Sequence, residues 1–600
     1  MQTPQLLSRR DLDFMLDEWL DVVRLTERPP FKEHSAETFS AVLDLSESIA
    51  INEFAPHNRA SDLQEPRLRE DGTVELIPEV AAALAAYRRS GLPAATFDVS
   101  LGGMRLPATV HRASALWLSA ANFSTTGYAF LAAAAANLLV AHAEEDLVDR
   151  FARPMIEGRF FGTMCLSEPQ AGSSLADIRT RAVRQGDGTY RLRGTKMWIS
   201  AGDHELGENI VHLVLARTGE LSAGVKGISL FAVPKYLVGA EGTIGERNDV
   251  VLVGLNHKMG NRGTTNAVLG FGEGTHSPAG KTGALGYLVG AEGGGLACMF
   301  HMMNEARIAV GAGAVALGYA GYLRSLSYAR TREQGRRLTD PSPMSPPVPL
   351  SEHADVRRML LAQKAYVEGG MALVLYCARL VDECASAPLT QDRERAATLL
   401  DLLTPIAKSF PSQWCLAAND LAIQILGGYG YTRDFEVEQH YRDNRLNPIH
   451  EGTHGIQGLG LLGRQVRARQ GAGLRTLVEE ISRATDAAAQ LTEELDEFAG
   501  CLRARADRLV ETTDALWASG DPEVALANSS IYLEAAGHIV VAWMWLEQVI
   551  VASGRSGSFY EGKRAAARYF FRYELPRVDV QLDLLNTLDR TTLDLDPDCL

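Results

Sequence analysis

The spacing of apolar residues changes twice along this chain, and this change constrains the fold more than any other feature. Near the start, Leu12, Met15, Leu16 and Trp19 recur at the three- and four-residue spacing of an amphipathic helix. Helical spacing is lost at about residue 161 and returns at Gly294. Between these points, short apolar runs separated by Gly, Asp and Asn indicate strands at 189–193, 210–216, 228–233 and 250–253. The sequence therefore predicts a mainly α-helical protein with a central β domain.

The length of 600 residues exceeds what one hydrophobic core usually supports, so we expect several packed domains. The prolines of 340–349 predict a surface loop, and the glycines at 471 and 473 mark a boundary. Beyond it, the apolar spacing from Leu474 to Leu502 predicts one long amphipathic helix. We expect a helical arm at 1–40, a helical domain at 41–160, the β domain at 161–286, a helical bundle at 287–467 and a helical extension at 474–600.

Composition argues against several classes of protein. The formal net charge of -15 disfavours a nucleic-acid binder, because phosphate contacts need an excess of Lys and Arg. The seven cysteines form no CxxC pair, which suits a reducing cytosol and argues against a zinc site or another metal site. The first residues lack the apolar core of a signal peptide, and the apolar stretches around 129–143 and 538–552 fall short of a membrane span. We therefore expect a cytoplasmic protein without an integral membrane segment.

Three segments carry residues suited to chemistry. The first comprises Thr163–Ser174 (TMCLSEPQAGSS) and Lys196–Ser200 (KMWIS), which offer hydroxyl and backbone N–H groups to ring heteroatoms and phosphate oxygens. The second is Asn304–Gly335, which contains Arg307 and Arg332. The third, Gln424–Gln457, contains a glycine-rich loop (GGYG) that lets a backbone approach a phosphate closely.

A candidate general base lies near the end of the third segment, in PIHEGTHGIQ. Glu451 precedes Gly452, which permits a tight turn, and Thr453, which can cap the helix that follows. A carboxylate in such a turn can be held within hydrogen-bond reach of a proton that it removes.

In this order and at about these spacings, the segments resemble those of acyl-CoA dehydrogenases. The arm and the extension resemble the long bacterial subfamily that includes 3-methylmercaptopropionyl-CoA dehydrogenases. The resemblance implies an α-helical domain, a β-barrel-like domain and a helical bundle, followed here by a C-terminal helical domain. It also implies FAD as the cofactor, with no metal.

The resemblance assigns cofactor contacts residue by residue. Ser167 would hydrogen-bond the flavin ring, Ser173 would reach the pyrophosphate, and Trp198 and Ser200 would lie against the ring from a strand. The loop at Gly427 and Gly428 would contact the FAD of a neighbouring subunit, and Arg332 would reach its pyrophosphate. This implies a homodimer or a dimer of dimers. The remaining cofactor-binding residues implied are Met164, Gly172 and Thr453.

The resemblance also implies the reaction and its partners. Glu451 would remove the α-proton of an acyl-CoA thioester, and flavin N5 would accept the β-hydride to give the 2-enoyl-CoA. Arg307, His450 and Gly452 would contact the substrate. Electrons would leave through an electron-transfer flavoprotein.

Alternatives remain at this stage. Relatives often have Tyr where His450 stands, and this departure bears on the identity of the substrate more than on the reaction class. One alternative function is an oxygen-using oxidase or monooxygenase on the same scaffold in a biosynthetic pathway, and another is a non-catalytic module that binds a CoA ester or a partner. If the ring of His450 faces Glu451, we expect the two to titrate as a coupled pair; otherwise it is a packing residue, as His454 would be. Glu305 is a less favoured base. The glycines at 311, 313 and 318 follow no strand and predict close helix packing rather than a dinucleotide site.

Overall fold

A computed structural model describes residues 5–239 and 242–600 of the protein. These residues form two compact units. The helical unit comprises the residues up to Ser40, Pro107–Ala120 and Arg307–Leu600. The mixed unit comprises Ala41–Leu106 and Ala121–Ala306.

The N-terminal part of the chain is helical, as the periodicity predicts. Ser8 caps the first helix by accepting a hydrogen bond from Asp11 N, and Asn122 caps the sixth by accepting one from Thr125 N. In chain order the helices are α1 (Arg9–Asp13), α2 (Ala36–Ile49), α3 (Asn58–Leu63), α4 (Pro78–Arg89), α5 (Ala108–Ala121), α6 (Phe123–His142), α7 (Glu145–Leu147) and α8 (Arg153–Ile156).

The mixed unit contains the strands. They are β1 (Arg67–Leu68), β2 (Val74–Glu75), β3 (Phe160–Cys165), β4 (Arg181–Arg184), β5 (Tyr190–Ser200), β6 (Asn209–Arg217), β7 (Ile228–Pro234), β8 (Tyr236–Val238), β9 (Ile244–Arg247), β10 (Val250–Leu255), β11 (Asn266–Phe271) and β12 (Ala284–Val289). The main sheet has the order β10-β11-β5-β12-β7-β6-β3, with β4 paired to β5 and β6. The four strand-like runs of the sequence fall in β5, β6, β7 and β10, which confirms the central β structure.

At its centre the sheet is buried on both faces, which explains why β6 and β7 are apolar runs rather than alternating patterns. One face packs with α6 and α8 around Phe151, Phe160 and Leu213. The other encloses a core that includes Tyr190, Phe231 and Phe271. All residues of β6 and β7 are buried.

Five helices follow the sheet: α9 (Gly295–Thr331), α10 (Ala354–Ser386), α11 (Thr390–Leu426), α12 (Val437–Asn444) and α13 (His454–Gly460). Glycines bring α9 against α11. A β-carbon on Gly311 would lie 2.0 Å from the carbonyl oxygen of Ala407, and one on Gly318 would lie 2.7 Å from Cβ of Cys415. Pro411 lies within α11 and has no N–H for the Ala407 carbonyl, so Gly311 meets an oxygen that lacks its helical partner. The prediction of close helix packing at these glycines is confirmed.

The C-terminal extension is helical, but its first helix is shorter than the sequence predicts. The apolar spacing from Leu474 to Leu502 belongs to two helices, because Thr492 starts a second one by accepting a hydrogen bond from Leu495 N. The predicted single helix was therefore wrong. The helices are α14 (Ala472–Ala488), α15 (Glu493–Ala518), α16 (Pro522–Leu526), α17 (Ser529–Ala552), α18 (Ser558–Tyr569), α19 (Arg577–Asn586) and α20 (Thr591–Asp594).

A buried ion cluster in the helical unit joins α1, α10 and α18. Lys563 Nζ lies 3.0 Å from Asp11 Oδ1 and 2.9 Å from Glu368 Oε2, and it donates a 3.0 Å hydrogen bond to Gln548 Oε1. Lys364 forms an ion pair with Glu368. Burial alone would raise the pKa of Asp11, but Lys563 and Lys364 lower that pKa to about 2.

Within residues 5–239 and 242–600, three helices are long and apolar enough to cross a membrane by length and composition: α6, α9 and α17. This corrects the expectation that the apolar stretches near 129–143 and 538–552 fall short of a span. Single polar residues interrupt these stretches in the sequence without shortening the helices that contain them. In the structure, 56% of the apolar window of α6 and 83% of those of α9 and α17 are buried inside the protein.

Candidate active site

Glu451 lies in a strained turn of the helical unit. Its φ is +55°, a left-handed conformation that side chains other than Gly rarely adopt, and Gly452 follows at +91°. Gln457 Nε2 donates a 2.9 Å hydrogen bond to the Glu451 carbonyl oxygen. A β-carbon on Gly452 would lie 2.4 Å from that same Nε2, so the turn needs glycine there. Thr453 caps α13 by accepting a hydrogen bond from Ile456 N at 3.4 Å, as its position in the sequence predicts.

Two buried cations act on the Glu451 carboxylate. Burial raises the pKa of Glu451 to about 7, while Arg307 on α9 and Lys408 on α11 act to lower it. Burial also lowers the pKa of Arg307 and brings that of Lys408 down to about 7. A carboxyl group that titrates near neutral pH is matched to proton transfer under ordinary conditions, as a general base requires.

A row of buried amides supports His450. Its Nε2 lies 3.0 Å from Asn447 Oδ1. Asn447 Nδ2 donates to Asn444 Oδ1 at 2.9 Å, and Asn444 Nδ2 donates to Asn419 Oδ1 at 2.7 Å. The row ends where Asn419 Nδ2 donates to the Leu317 carbonyl oxygen of α9 at 2.9 Å. Because each amide donates in the direction of α9, this assignment makes Asn447 Oδ1 an acceptor, and His450 Nε2 therefore carries a hydrogen.

His450 is neutral at physiological pH. Burial, helped by the charge of Lys408, lowers the pKa of His450 to about 3. The groups that shift the pKa of Glu451 are Arg307 and Lys408, not His450. Of the two expectations for His450, its hydrogen bond to Asn447 and its lowered pKa favour a packing residue over a charged partner of Glu451.

The C-terminal extension packs directly on the helix that follows Glu451. A β-carbon on Gly458 in α13 would lie 2.6 Å from the carbonyl oxygen of Ser529 at the start of α17. Ser530 Oγ lies 3.9 Å from the position that a β-carbon on Gly455 would take. The extension therefore forms part of the support of the turn that holds Glu451.

In the mixed unit, the turn after β3 is held against β5. Ser167 accepts a 3.0 Å hydrogen bond from Met197 N through its carbonyl oxygen, so it lies beside the strand that carries Trp198. Gly172 and Ser173 are exposed, and Met164 is partly buried within β3. This turn offers free polar groups beside an aromatic residue, which suits a bound ring and its phosphates.

A buried ion pair fixes this turn, and sequence reasoning missed it. Lys196 Nζ lies 2.9 Å from Glu168 Oε1 and donates to the Leu166 carbonyl oxygen at 2.9 Å. Although burial acts to raise it, the pKa of Glu168 is lowered to about 2 by Lys196 and by hydrogen bonds from Thr180 and Arg179 N–H. Glu168 lies in the segment TMCLSEPQAGSS and Lys196 lies in KMWIS. A carboxylate in one segment and a lysine in the other were the sequence signal from which this ion pair could have been predicted.

Trp198 departs from ordinary strand geometry. Its φ is +65° and its side chain is 57% exposed, although it lies within β5. Backbone strain of this kind persists only where surrounding contacts hold it, and it is common at ligand sites. Ser200, at the end of the same strand, lies 3.5 Å through Oγ from Asn266 Nδ2 on β11. The exposed indole of Trp198, on its strained backbone, can cover the face of a flat ligand.

Arg332, Gly427 and Gly428 line one cavity of about 530 Å³ in the helical unit, together with Tyr328, Gln334 and Tyr429. Gly427 ends α11 with a φ of +60°, and no atom lies within 4 Å of where a β-carbon on either glycine would stand. The cavity thus combines an arginine with open backbone, which fits part of a dinucleotide such as FAD.

The candidate residues fall into three groups. Arg307, His450, Glu451, Gly452 and Thr453 belong to the helical unit around the turn. The cavity residues Arg332, Gly427 and Gly428 belong to the same unit. Met164, Ser167, Gly172, Ser173, Trp198 and Ser200 belong to the mixed unit. Glu305, the less favoured base, accepts hydrogen bonds from Asn137 Nδ2 in the mixed unit at 3.1 and 3.3 Å.

Family comparisons cover most of the chain. Residues 163–271 match the family described as acyl-CoA dehydrogenase, middle domain. Residues 293–466 match acyl-CoA dehydrogenase, C-terminal domain, and 477–596 match acetyl-CoA dehydrogenase C-terminal like. The 3-methylmercaptopropionyl-CoA dehydrogenase of Ruegeria pomeroyi is 34% identical over 573 residues, covering 94% of each chain. The broad-specificity linear acyl-CoA dehydrogenase FadE5 of Mycobacterium tuberculosis is 32% identical, covering 98% of each.

Solved structures share the fold. Caenorhabditis elegans ACDH-11, in complex with C11-CoA, aligns with a TM-score of 0.74 at 19% identity over 96% of this chain and 95% of that one. Butyryl-CoA dehydrogenase from Megasphaera elsdenii aligns with a TM-score of 0.57 at 22% identity, covering 72% of this chain and 99% of that one. The chain belongs to the acyl-CoA dehydrogenase family, whose members are FAD-dependent oxidoreductases.

Proposed function

We propose that the protein oxidises an acyl-CoA thioester to the 2-enoyl-CoA, with Glu451 as the base that removes the α-proton. The observation that carries this proposal is the strained turn at Glu451, a half-buried acidic residue with a φ of +55° on which the buried cations Arg307 and Lys408 act. Desolvation raises the pKa of its carboxyl group to about 7. The α-proton of a thioester is weakly acidic, so its removal needs a base that is positioned and desolvated. FAD, when bound, accepts the β-hydride at N5.

The other residues of the turn position the substrate. The backbone N–H of Glu451 donates to the thioester carbonyl oxygen and stabilises the negative charge that develops there as the proton leaves. Arg307 and His450 form the walls around the base, and Gly452 keeps the turn narrow. The strain at Glu451 supports this proposal, since a costly conformation at an acidic residue is expected where the residue acts.

Two sets of residues hold FAD in this proposal. Ser167, Ser173, Trp198 and Ser200, with Met164 and Gly172, bind the ring and pyrophosphate of FAD. In the helical unit, Thr453 is a further cofactor-binding residue. The cavity at Arg332, Gly427 and Gly428 receives the FAD of a second copy of the chain, which makes the protein a homodimer or a dimer of dimers. An electron-transfer flavoprotein then takes the electrons. All seven cysteines are free, which supports a cytoplasmic location.

Relatives are named for different acyl groups, from butyryl to 3-methylmercaptopropionyl, so the test uses a panel. Purified protein is mixed anaerobically with butyryl-, octanoyl-, palmitoyl- and 3-methylmercaptopropionyl-CoA, and loss of flavin absorbance is followed. Bleaching by at least one thioester supports the proposal. Rapid reoxidation by air alone would favour the oxidase alternative, and protein purified without flavin would favour the non-catalytic binding module.

The assignment of the base is tested with Glu451→Gln. This variant keeps its flavin and still binds acyl-CoA, but it loses about 10³-fold or more in the rate of flavin reduction, as expected when a positioned base is removed. Glu305→Gln is the matched control, because Glu305 is a paired carboxylate on the same long helix as Arg307, and it retains the parental rate. Near-parental bleaching by Glu451→Gln, or a comparable loss in Glu305→Gln, overturns the assignment.

A further inference from the structure

Lys408 differs from the other buried lysines of the described chain. Lys196, Lys235 and Lys563 each contact a carboxylate within 3.0 Å. Lys408 is fully buried, and its Nζ has no hydrogen-bond partner within the residues that the structure describes. An ammonium without an acceptor is costly to bury, so a lysine in this position needs a reason beyond packing.

The position of Lys408 on α11 is fixed by its surroundings. It lies between Pro405 and Pro411, and its carbonyl oxygen accepts a 2.5 Å hydrogen bond from Ser412 Oγ. Two other residues of α11 are held firmly: Ala407 lies against Gly311 of α9, and Phe410 packs on His538 of α17. The side chain is therefore presented from a rigid segment of the helix.

The groups that act on Lys408 are those of the candidate active site. The carboxylate of Glu451 favours the ammonium form, and the guanidinium of Arg307 opposes it. In turn, the charge of Lys408 acts on Glu451, on His450 and on His454, the first residue of α13. These four residues come from α9, from the turn and from α13, so Lys408 lies among all the elements that build the site.

We propose that Lys408 is a positioning residue that keeps Glu451 ionised in its buried turn, so that the lysine and the base gain and lose charge as one unit. The inference rests on the proposed function. Before the reaction, the ammonium favours the carboxylate that must accept the substrate proton. After Glu451 has taken that proton, the ammonium loses its counter-charge while Arg307 still repels it. The pKa of Lys408 then falls, and the proton that the ammonium loses passes to bulk solvent, so the substrate proton on Glu451 is balanced by one proton released from the protein.

The acid limb is the fall in the rate of flavin reduction as the pH is lowered. Two substitutions at Lys408 should move its midpoint in opposite directions. Lys408→Met removes the cation, so the apparent pKa of Glu451 rises by about one unit, and the rate below that pKa falls about tenfold relative to the parent while the rate at high pH changes little. Lys408→Arg supplies a cation that stays protonated, so the limb moves to lower pH. A loss of packing cannot produce opposite shifts.

The measurement is anaerobic flavin reduction of the holoenzyme from about pH 5 to about pH 9, with the panel thioester that bleaches the parent fastest. Lys364→Met is the matched control: Lys364 is paired with Glu368, and its removal leaves the limb in place. Unchanged limbs in both Lys408 variants, at parental flavin content, overturn the inference.

A second readout does not depend on turnover. The carboxylic-acid C=O infrared band that is absent from Glu451→Gln reports the protonation of the base directly. Its titration midpoint moves up in Lys408→Met and down in Lys408→Arg. If no thioester bleaches the parent but this midpoint moves, the proposed function fails and the charge coupling stands. A midpoint that does not move overturns the coupling whatever the activity.

Discussion

Gln457 holds the Glu451 carbonyl oxygen at 2.9 Å and thereby closes a turn in which the acidic residue has a φ of +55°. The amide comes from α13, the helix that begins directly after the turn. The hydrogen bond uses the backbone of Glu451 and leaves its carboxylate available. The carbonyl oxygen of Glu451 therefore fixes the residue in place, and its carboxylate remains free to accept a proton.

Removing this hydrogen bond should impair the reaction without altering the acidity of the base. We expect Gln457→Leu to reduce flavin about 10- to 100-fold more slowly, because a small displacement of a reacting group has effects of this size. The apparent pKa of the acid limb should stay at the parental value. Gln465→Leu, which removes another buried glutamine in the segment after α13, is the control and should react normally. A parental rate of flavin reduction in Gln457→Leu would show that the turn keeps its conformation without this hydrogen bond.

The pH dependence of the parent should follow the ionisation of Glu451. Because burial raises the pKa of Glu451 to about 7, the base is protonated and inactive below that value and ionised above it. The rate of flavin reduction should therefore rise about tenfold per pH unit well below pH 7 and level off above it. Rapid-mixing absorbance of the flavin checks this. A limb centred near the ordinary glutamate pKa, about 4.3, would contradict the burial argument.

Arg332 should matter for FAD retention and assembly. In Arg332→Ala, we expect lower flavin content and a weaker oligomer, since the pyrophosphate would lose its charged partner in the cavity. Flavin absorbance per protein and sedimentation measure the two effects. Arg330→Ala is the control and should keep both, because Arg330 is an exposed arginine in the last turn of α9, two residues before Arg332, and does not line the cavity. If Arg332→Ala keeps its full flavin content and its oligomeric state, Arg332 is only a surface charge.

His450→Tyr should leave the acid limb in place. A histidine whose pKa is lowered to about 3 carries no charge at neutral pH that the substitution could remove. The phenol can donate to Asn447 Oδ1 as His450 Nε2 does. Flavin reduction across pH for both proteins checks this. A shift of about one unit or more would show that His450 is charged in the working enzyme.

Lys196→Met should weaken the turn after β3. Leaving Glu168 buried without its cation costs about 3–5 kcal/mol of unfolding free energy, measured by denaturant titration, and lowers flavin content. The folded-state pKa of Glu168 is lowered to about 2, so the stability it contributes is present above its ordinary value and is lost as pH falls toward 2. The difference between the two proteins should therefore shrink on acidification. The double variant Lys196→Met, Glu168→Gln should recover part of the loss, and no recovery would mean that Lys196 acts mainly through Leu166.

The spacing of apolar residues predicted the helices and strands well wherever one spacing continues along the whole element. The strands β6 and β7 were recognised because most of their residues are apolar and follow one another without the spacing of a helix. The break between α14 and α15 was missed, because the residues on either side of it keep the same apolar spacing and the stop depends on one cap at Thr492. The apolar stretches around 129–143 and 538–552 were judged too short for a membrane span because polar residues interrupt them, but isolated polar residues do not end the helices α6 and α17 that contain them.

For the candidate site, the sequence predicted residues that lie within recognisable motifs. Glu451, Gly452 and Thr453 are adjacent, so their cooperation in one turn could be anticipated. Lys408 could not, because it lies far from them in the chain and only tertiary packing brings its charge to the base. The same holds for the amide row, whose members Asn419, Asn444 and Asn447 come from α11, α12 and the turn after it. A buried polar group shows its role only through the partners that folding provides.

The Lys563 cluster makes the two ends of the chain depend on each other. Its acids come from the N-terminal arm and from α10, while its lysine comes from the extension. Cutting the chain after α13 would remove Lys563, so Asp11 would lose the ammonium that lies 3.0 Å from it, while Glu368 would keep its ion pair with Lys364. Deleting the arm would remove one of the two carboxylates that Lys563 pairs with. The folding of the arm and that of the extension are therefore linked energetically, because each supplies a charge that the other neutralises.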